Sequence, residues 1–256
     1  MKTNGDLARV ADEVERMSAP EAIRWALDRF HPRIAFASSF GAEDVVVVDL
    51  LVRARPDARI FTLDTGRLNE ETYDVAERIR RRYGIVIETF FPQRETVERL
   101  EREKGLFSFR ESIGNRKECC GIRKVEPLRR ALAGLDAWIS GLRRAQAVTR
   151  GAVRRLEWDE GFGILKLNPL ADWSEEQVWN YIRANELPYN ALHDSGFPSI
   201  GCAPCTRAVA PGEDVRAGRW WWELPEEKEC GLHAATSPPD SSPASRALPP
   251  TTAAAD

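Results

Sequence analysis

Five cysteines carry the strongest chemical signal in this 256-residue sequence, because four of them form two close pairs. Cys119 and Cys120 are adjacent, and Cys202 and Cys205 are separated by two residues. Two such pairs are typical of a four-thiolate metal centre, which is either zinc or iron–sulfur. Adjacent cysteines suit one tetrahedral zinc ion poorly, whereas a larger cluster has separate irons for neighbouring thiolates. The simpler alternative is four buried free thiols.

The fifth cysteine stands alone in a polar segment near the C-terminal end. Cys230 has Lys228 before it and His233 after it, and either cation would favour the thiolate form. Three neighbouring glutamates would oppose that effect. Cys230 is therefore a candidate nucleophile, and the alternative is an incidental exposed thiol.

Two short loops are candidates for binding an anion. The first spans residues 38–44 and joins a predicted strand to a predicted helix, where backbone N–H groups and the helix dipole favour negative charge. The second spans residues 63–66 and follows the next predicted strand, at the edge where open α/β sheets bind ligands. The candidate residues in the two loops are Ser38, Ser39, Gly41, Leu63, Asp64, Thr65 and Gly66.

A basic region follows the first cysteine pair. Lys124 lies close to that pair, and further arginines follow a predicted strand or lie in a later loop. Arginine binds phosphate and sulfate through two parallel hydrogen bonds, so a convergent set of arginines predicts an anion site. For any single arginine, a solvated surface charge is the simpler interpretation. The arginines considered are Arg143, Arg144, Arg150, Arg216 and Arg219.

The elements that must position these residues alternate between strand and helix. Helices are predicted within residues 1–30 and at 45–53, 70–83, 94–104, 117–133 and 174–185; strands are predicted at 33–40, 59–63, 85–91, 137–142 and 163–167. The cysteine pair would lie near the start of the 117–133 helix. This alternation predicts an α/β fold with a parallel sheet and helices on both faces.

Three segments are expected along the chain. Residues 1–30 form an N-terminal helical segment, residues 31–234 form the nucleotide-binding α/β domain, and residues 235–256 form a disordered tail dominated by Ala, Ser, Pro and Thr. The net charge of −3 argues against bulk nucleic-acid binding. Without an apolar run of membrane length or a signal-peptide core, a cytoplasmic location is expected.

Six segments together resemble the assimilatory adenylyl-sulfate (APS) reductases, relatives of the phosphoadenylyl-sulfate (PAPS) reductases. They are residues 39–44, 63–66, 119–128, 141–144, 201–207 and 229–233. The resemblance covers residues 30–233 and implies a three-layer parallel-sheet sandwich of the adenine-nucleotide alpha-hydrolase-like kind. The sequence departs from the family pattern at Ala147, where the family commonly has a serine.

The resemblance also implies a chemistry. Cys119, Cys120, Cys202 and Cys205 would hold a 4Fe–4S cluster, and Lys124 would lie between cluster and substrate. Cys230 would be the nucleophile that takes the sulfo group, and thioredoxin would release sulfite. The family's motifs add Gly141 and His233 to the substrate-binding candidates, and a homo-oligomer is left open.

Three alternatives remain. A cluster-containing enzyme of this family could prefer PAPS, which carries one more phosphate. A metal-bound, non-catalytic nucleotide-binding regulator belongs to a different class. An ATP-dependent adenylating enzyme of the same fold is disfavoured, because the phosphate-binding loop lacks the Walker lysine.

Overall fold

A computed structural model describes residues 4–147 and 150–224. Six strands form one sheet in the order β3-β2-β1-β4-β6-β5. The strands are β1 (Ile34–Ser38), β2 (Arg59–Leu63), β3 (Ile87–Phe90), β4 (Ala137–Ile139), β5 (Leu156–Asp159) and β6 (Ile164–Leu167). All neighbours are parallel except β5, which runs antiparallel to β6.

Eight α-helices accompany the sheet within the part of the chain that the model describes. They are α1 (Asn4–Glu15), α2 (Ala19–Phe30), α3 (Ala42–Ala54), α4 (Glu70–Tyr83), α5 (Arg94–Lys104), α6 (Ile113–Cys120), α7 (Glu126–Leu132) and α8 (Glu175–Ala184). Local signals account for several of their ends. Gly84 ends α4 with a φ of 63°, and the Ser174 side chain accepts a hydrogen bond from the N–H of Gln177 at the start of α8.

The alternating side chains of the strands build a hydrophobic layer on each face of the sheet. Ile34 and Phe36 of β1 join the larger core, which contains residues of α1, α2, α3, α4 and α8. Ala35 of the same strand packs on the opposite face with Phe61 and Leu128, which belong to β2 and α7. The parallel sheet with helices on both faces, predicted from the strand–helix alternation, is therefore confirmed, and so is the three-layer sandwich that the family resemblance implies.

The prediction of one continuous helix over residues 117–133 is wrong. Residues 113–120 form α6, residues 121–125 form a π-helical turn, and α7 follows. Cys119 and Cys120 consequently lie at the end of α6 and not near the start of a helix. π-Helical turns widen a helix locally and occur often at functional sites.

The sequence interpretation also missed one strand. The edge strand β5 pairs with β6 from Leu156 to Asp159, through a short turn at residues 160–163. Its alternation of Leu, Glu, Trp and Asp, followed by two glycines in the turn, is a hairpin signal that could have revealed it.

Candidate active site

The carboxyl ends of β1, β2 and β4 open into one large cavity, called here the strand-edge cavity. Its volume is about 860 Å³. Parallel strands place the loops that follow them at one edge of the sheet, which explains why distant loops meet there. The predicted residues that line it are Ser38, Ser39, Gly41, Leu63, Thr65, Lys124, Gly141, Arg143, Arg150, Arg216 and Arg219.

The loop between β1 and α3 is shaped by a buried carboxylate. Asp44 accepts hydrogen bonds from the backbone N–H and the hydroxyl of Ser39, at 2.5 and 2.7 Å. Phe40 lies between these residues with a φ of 57°, a conformation that costs energy for a bulky side chain. Burial raises the pKa of Asp44 to about 7, although the two Ser39 hydrogen bonds act against that rise.

Three predicted substrate-binding residues do not line the strand-edge cavity. Asp64 accepts hydrogen bonds from the Gly66 N–H and the Tyr73 hydroxyl, so this carboxylate and Gly66 shape the turn after β2. Arg144 binds the Glu15 carboxylate and donates to the Val153 carbonyl at 2.7 Å. These contacts tie Arg144 to α1, away from the cavity wall.

Two of the predicted arginines that line the cavity are held by other side chains. Arg143 forms a salt bridge to Glu43 at 2.7 Å and donates to the Trp173 carbonyl. Arg150 donates to the Gln146 side chain at 2.6 Å. Arg143 is thereby already neutralised by a carboxylate.

Arg219 has donor capacity that its contacts with the described residues do not use. It is 93% buried, and Nη1 donates to the Ile200 carbonyl at 3.1 Å. Its Nε has no hydrogen-bond partner among the described residues. A buried guanidinium with spare donors on a cavity wall favours binding of an anion.

The four paired cysteines line a second, much smaller cavity of about 20 Å³, called here the thiol cavity. The two pairs are 81 residues apart in sequence, and the fold brings them together as the cluster hypothesis requires. Lys124, Arg219 and Trp220 line both cavities and form the wall between them. The thiols and the anion-binding side chains are therefore adjacent.

Three of the four thiols differ in their tendency to ionise. Burial raises the pKa of Cys205 to about 12, with repulsion from Cys202 adding to the effect, and burial also raises the pKa of Cys119. Burial is the largest influence on Cys202 and acts in the same direction, yet its pKa is lowered, because Lys124, a hydrogen bond with Thr65 and the charges of Arg219 and Arg123 together outweigh burial. The oxygen–sulfur distance to Thr65 is 3.3 Å.

Several residues around the thiol cavity were missed by the sequence analysis. Arg123, which is absent from the predicted site residues, donates to the Thr65 carbonyl at 2.7 Å and pairs with Glu101 at 2.5 Å. Arg116 lies one helical turn before Cys120, a spacing that could have placed both on one side of α6. Within residues 4–147 and 150–224, no three His, Cys, Asp or Glu side chains converge to hold one metal ion.

His193 also lies on the wall of the strand-edge cavity, although it was not among the predicted site residues. Its ring packs edge-on against Trp179 with the centroids 5.2 Å apart, and burial lowers its pKa. The predicted nucleophile Cys230 and the substrate candidate His233 lie outside the described residues.

Comparison with known proteins decides the family. The model of the phosphoadenosine phosphosulfate reductase domain matches residues 33–208. The chain belongs to the phosphoadenosine phosphosulfate reductase family. The match includes the strand-edge loops and both cysteine pairs, so the family predicted from the sequence motifs is confirmed.

Members of this family with curated names resemble the chain over most of its length. An adenosine 5'-phosphosulfate reductase of Allochromatium vinosum is 55% identical over 200 residues, covering 78% of this chain and 78% of that protein. A protein of the same name from Burkholderia cepacia is 50% identical over 230 residues, covering 90% of this chain and 91% of the relative.

Solved structures agree with the fold. The phosphoadenylyl-sulfate reductase of Candida auris, in its phosphate complex, matches with a TM-score of 0.69 and 28% identity, covering 82% of this chain and 98% of that one. Yeast FAD synthetase matches with a TM-score of 0.54 at 13% identity, which shows the fold alone; the aligned region covers 81% of this chain and 70% of that one. No helix among the described residues is long and apolar enough to cross a membrane.

Proposed function

We propose that this chain is a thioredoxin-dependent adenylyl-sulfate reductase, which converts APS to sulfite and AMP in assimilatory sulfate reduction. One observation carries the proposal: Lys124 and Arg219 line both the strand-edge cavity and the thiol cavity. A sulfated nucleotide bound at the strand edge would place its anionic end against this shared wall. The names of the relatives at 50–55% identity support APS as the substrate.

The thiol cavity fits a 4Fe–4S cluster better than a single ion. Cys119 and Cys120 are adjacent at the end of α6, an arrangement that suits one tetrahedral zinc ion poorly. A cluster gives each thiolate its own iron. Cys119, Cys120, Cys202 and Cys205 would hold it, and when bound it would supply electrostatic tuning of the anion site.

The strand-edge residues would bind and orient the nucleotide. The loops after β1 and β2 would hold AMP, and Lys124, Arg150, Arg216 and Arg219 would neutralise phosphate and sulfate. Such fixed charges stabilise the negative charge that grows on the leaving phosphate, and orientation of the sulfur removes an entropic barrier. Gly141 must stay small there, because a Cβ would collide with the Asp44 carboxylate.

Cys230 would carry the covalent step. Its thiolate attacks the sulfur of APS, the bond between sulfur and the phosphate oxygen breaks, and AMP leaves with that electron pair. The product is an S-sulfocysteine. A thioredoxin thiolate then attacks the Cys230 sulfur and sulfite leaves; the second thioredoxin thiol resolves the mixed disulfide. Two thiols are oxidised to a disulfide as sulfate is reduced to sulfite.

A sulfite-release assay on anaerobically purified protein tests this proposal. With thioredoxin as reductant, kcat/KM for APS is expected to exceed that for PAPS, and Cys230→Ser should abolish sulfite release while APS binding persists. A higher kcat/KM for PAPS would favour the PAPS-preferring alternative. Turnover by Cys230→Ser would overturn the covalent mechanism. A cytoplasmic location and a homo-oligomer stay predictions.

A further inference from the structure

A buried ion pair lies behind the wall that separates the two cavities. Arg116 of α6 contacts Glu223 with Nε and Oε1 2.6 Å apart, and their side chains are 1% and 3% exposed. The second oxygen of Glu223 has no hydrogen-bond partner among the described residues. Arg116 lines the thiol cavity, and neither residue lines the strand-edge cavity.

The indole of Trp220 connects this ion pair to the anion site. The Arg116 guanidinium lies 4.7 Å from the centre of the Trp220 ring, and the Arg219 guanidinium lies at the same distance from it. Trp220 is 1% exposed and has a φ of 39°, which few tryptophans adopt. Its position is thus determined by its two cationic neighbours and by the chain around it.

The backbone fixes the same short segment. The Trp220 N–H donates to the Cys205 carbonyl at 3.1 Å, and the Glu223 N–H donates to the Trp220 carbonyl at 2.8 Å. Glu223 is thus held by Arg116 of α6, and Trp220 is held by the Cys205 carbonyl of the second cysteine pair. A change at Glu223 would therefore act first on Arg116 and Trp220, and through Trp220 on Arg219.

Arg219 has little freedom to compensate. A Cβ at Gly201 would collide with its guanidinium, so the group already lies directly against the backbone. Apart from the contacts to Ser199 and Ile200, Trp220 is what supports it from behind. Displacement of the indole would turn the donors of Arg219 away from the anion.

We propose that Arg116 and Glu223 are positioning residues that act through Trp220 on Arg219 and thereby set the affinity of the strand-edge cavity for the sulfated end of the nucleotide. The inference rests on the proposed function, because it takes the anion to be the phosphosulfate group of APS. According to this inference, the ion pair affects binding of the anionic end of the substrate and not binding of its adenosine part. A purely structural ion pair would affect every ligand of the cavity equally.

A double-mutant cycle in binding tests the inference. The parent protein is cluster-loaded Cys230→Ser, which cannot turn over. Its affinities for APS and for adenosine are measured alone, with Glu223→Gln, with Arg219→Ala and with both substitutions. Glu223→Gln is expected to weaken APS binding roughly 10-fold, because a small displacement of a binding group has large effects. Adenosine lacks the anion, so its affinity should be unchanged. In the Arg219→Ala background, Glu223→Gln should have no further effect.

Two results would overturn the positioning role: an equal loss of affinity for APS and adenosine, or an undiminished effect of Glu223→Gln in the Arg219→Ala background. Arg116→Lys keeps the charge but loses the guanidinium that lies over the Trp220 ring, so it should reproduce the selective loss of APS affinity. It replaces Glu223→Gln in the cycle if that variant does not fold. A parent protein that binds adenosine but not APS would instead contradict the proposed function, and this inference with it.

Discussion

The strand-edge cavity holds about 860 Å³, whereas the thiol cavity holds about 20 Å³, although Lys124, Arg219 and Trp220 line both. The large cavity is built from the loops that follow β1, β2 and β4, and α8 and residues from 189 to 220 complete its wall. The thiol cavity is closed by α6, the π-helical turn and a loop some 80 residues later. The comparison teaches that the strand-edge loops of the large cavity form together with the sheet, whereas all four thiols of the small cavity depend on contact between two distant segments.

The largest effect is expected for the thiol cavity. Cys202→Ser removes the buried thiol whose pKa is lowered by Lys124 and Thr65 despite burial, so the protein should lose bound iron, labile sulfide and all sulfite release. AMP affinity should remain, because the strand-edge loops are built separately. Cys230→Ser is the matched control and should keep its iron. Unchanged iron content in Cys202→Ser would contradict the assignment of the iron site to the thiol cavity.

A smaller effect should appear in the strand-edge loop as a pH dependence of stability. The pKa of Asp44 is about 7 in the folded chain and about 3.9 in an unfolded one, so the folded state binds more protons between these values. Stability should therefore fall as pH rises from about 4 to about 7. Asp44→Asn removes this loss, and chemical denaturation at pH 8 should show a gain on the order of 4 kcal/mol that disappears near pH 4.

The exposed Asp74 offers a control for that measurement. Asp74→Asn changes a surface carboxylate on α4 that is 3.4 Å from Arg78, and such changes are worth less than about 0.5 kcal/mol. An Asp44→Asn stability curve parallel to that of the parent from pH 4 to 8 would show that the buried carboxylate does not hold its proton.

The smallest effect is expected at the shared wall. Gly201→Ala places a methyl group against the Arg219 guanidinium, which must turn away. APS binding should weaken about 10-fold while the iron content is unchanged. Gly114→Ala in α6 is the control, because the nearest atom to its Cβ would be the Ser112 hydroxyl at 3.8 Å. Loss of iron in Gly201→Ala would contradict this prediction, because it would show that the shared wall is needed to hold the thiol cavity together.

The strand-edge half of the site could be predicted from local sequence. Residues 59–63 and 70–83 form the strand and helix that their patterns predict, and Gly84 ends the helix as expected. Hydrophobic alternation, caps and glycines act over a few residues, so a sequence displays them. The same reasoning overlooked β5, although its alternation and the glycines that follow it form a local hairpin signal.

The rest of the site depends on contacts between distant residues. Nothing near Arg144 in the sequence shows that Glu15 binds it, and nothing near Arg116 shows that Glu223 lies against it. Arg143 and Arg144 look equivalent in sequence, yet only Arg143 lines the cavity. The spacing of the cysteines predicted that four thiols meet, but the residues that link them to the anion site became visible only in three dimensions.

The central claim is that Cys230 receives the sulfo group, and mass spectrometry of the peptide that contains it tests this most directly. Protein mixed with APS in the absence of thioredoxin should carry one sulfo group on that peptide, and added thioredoxin should remove it as sulfite appears. An unmodified Cys230 peptide together with accumulating sulfite would contradict the account.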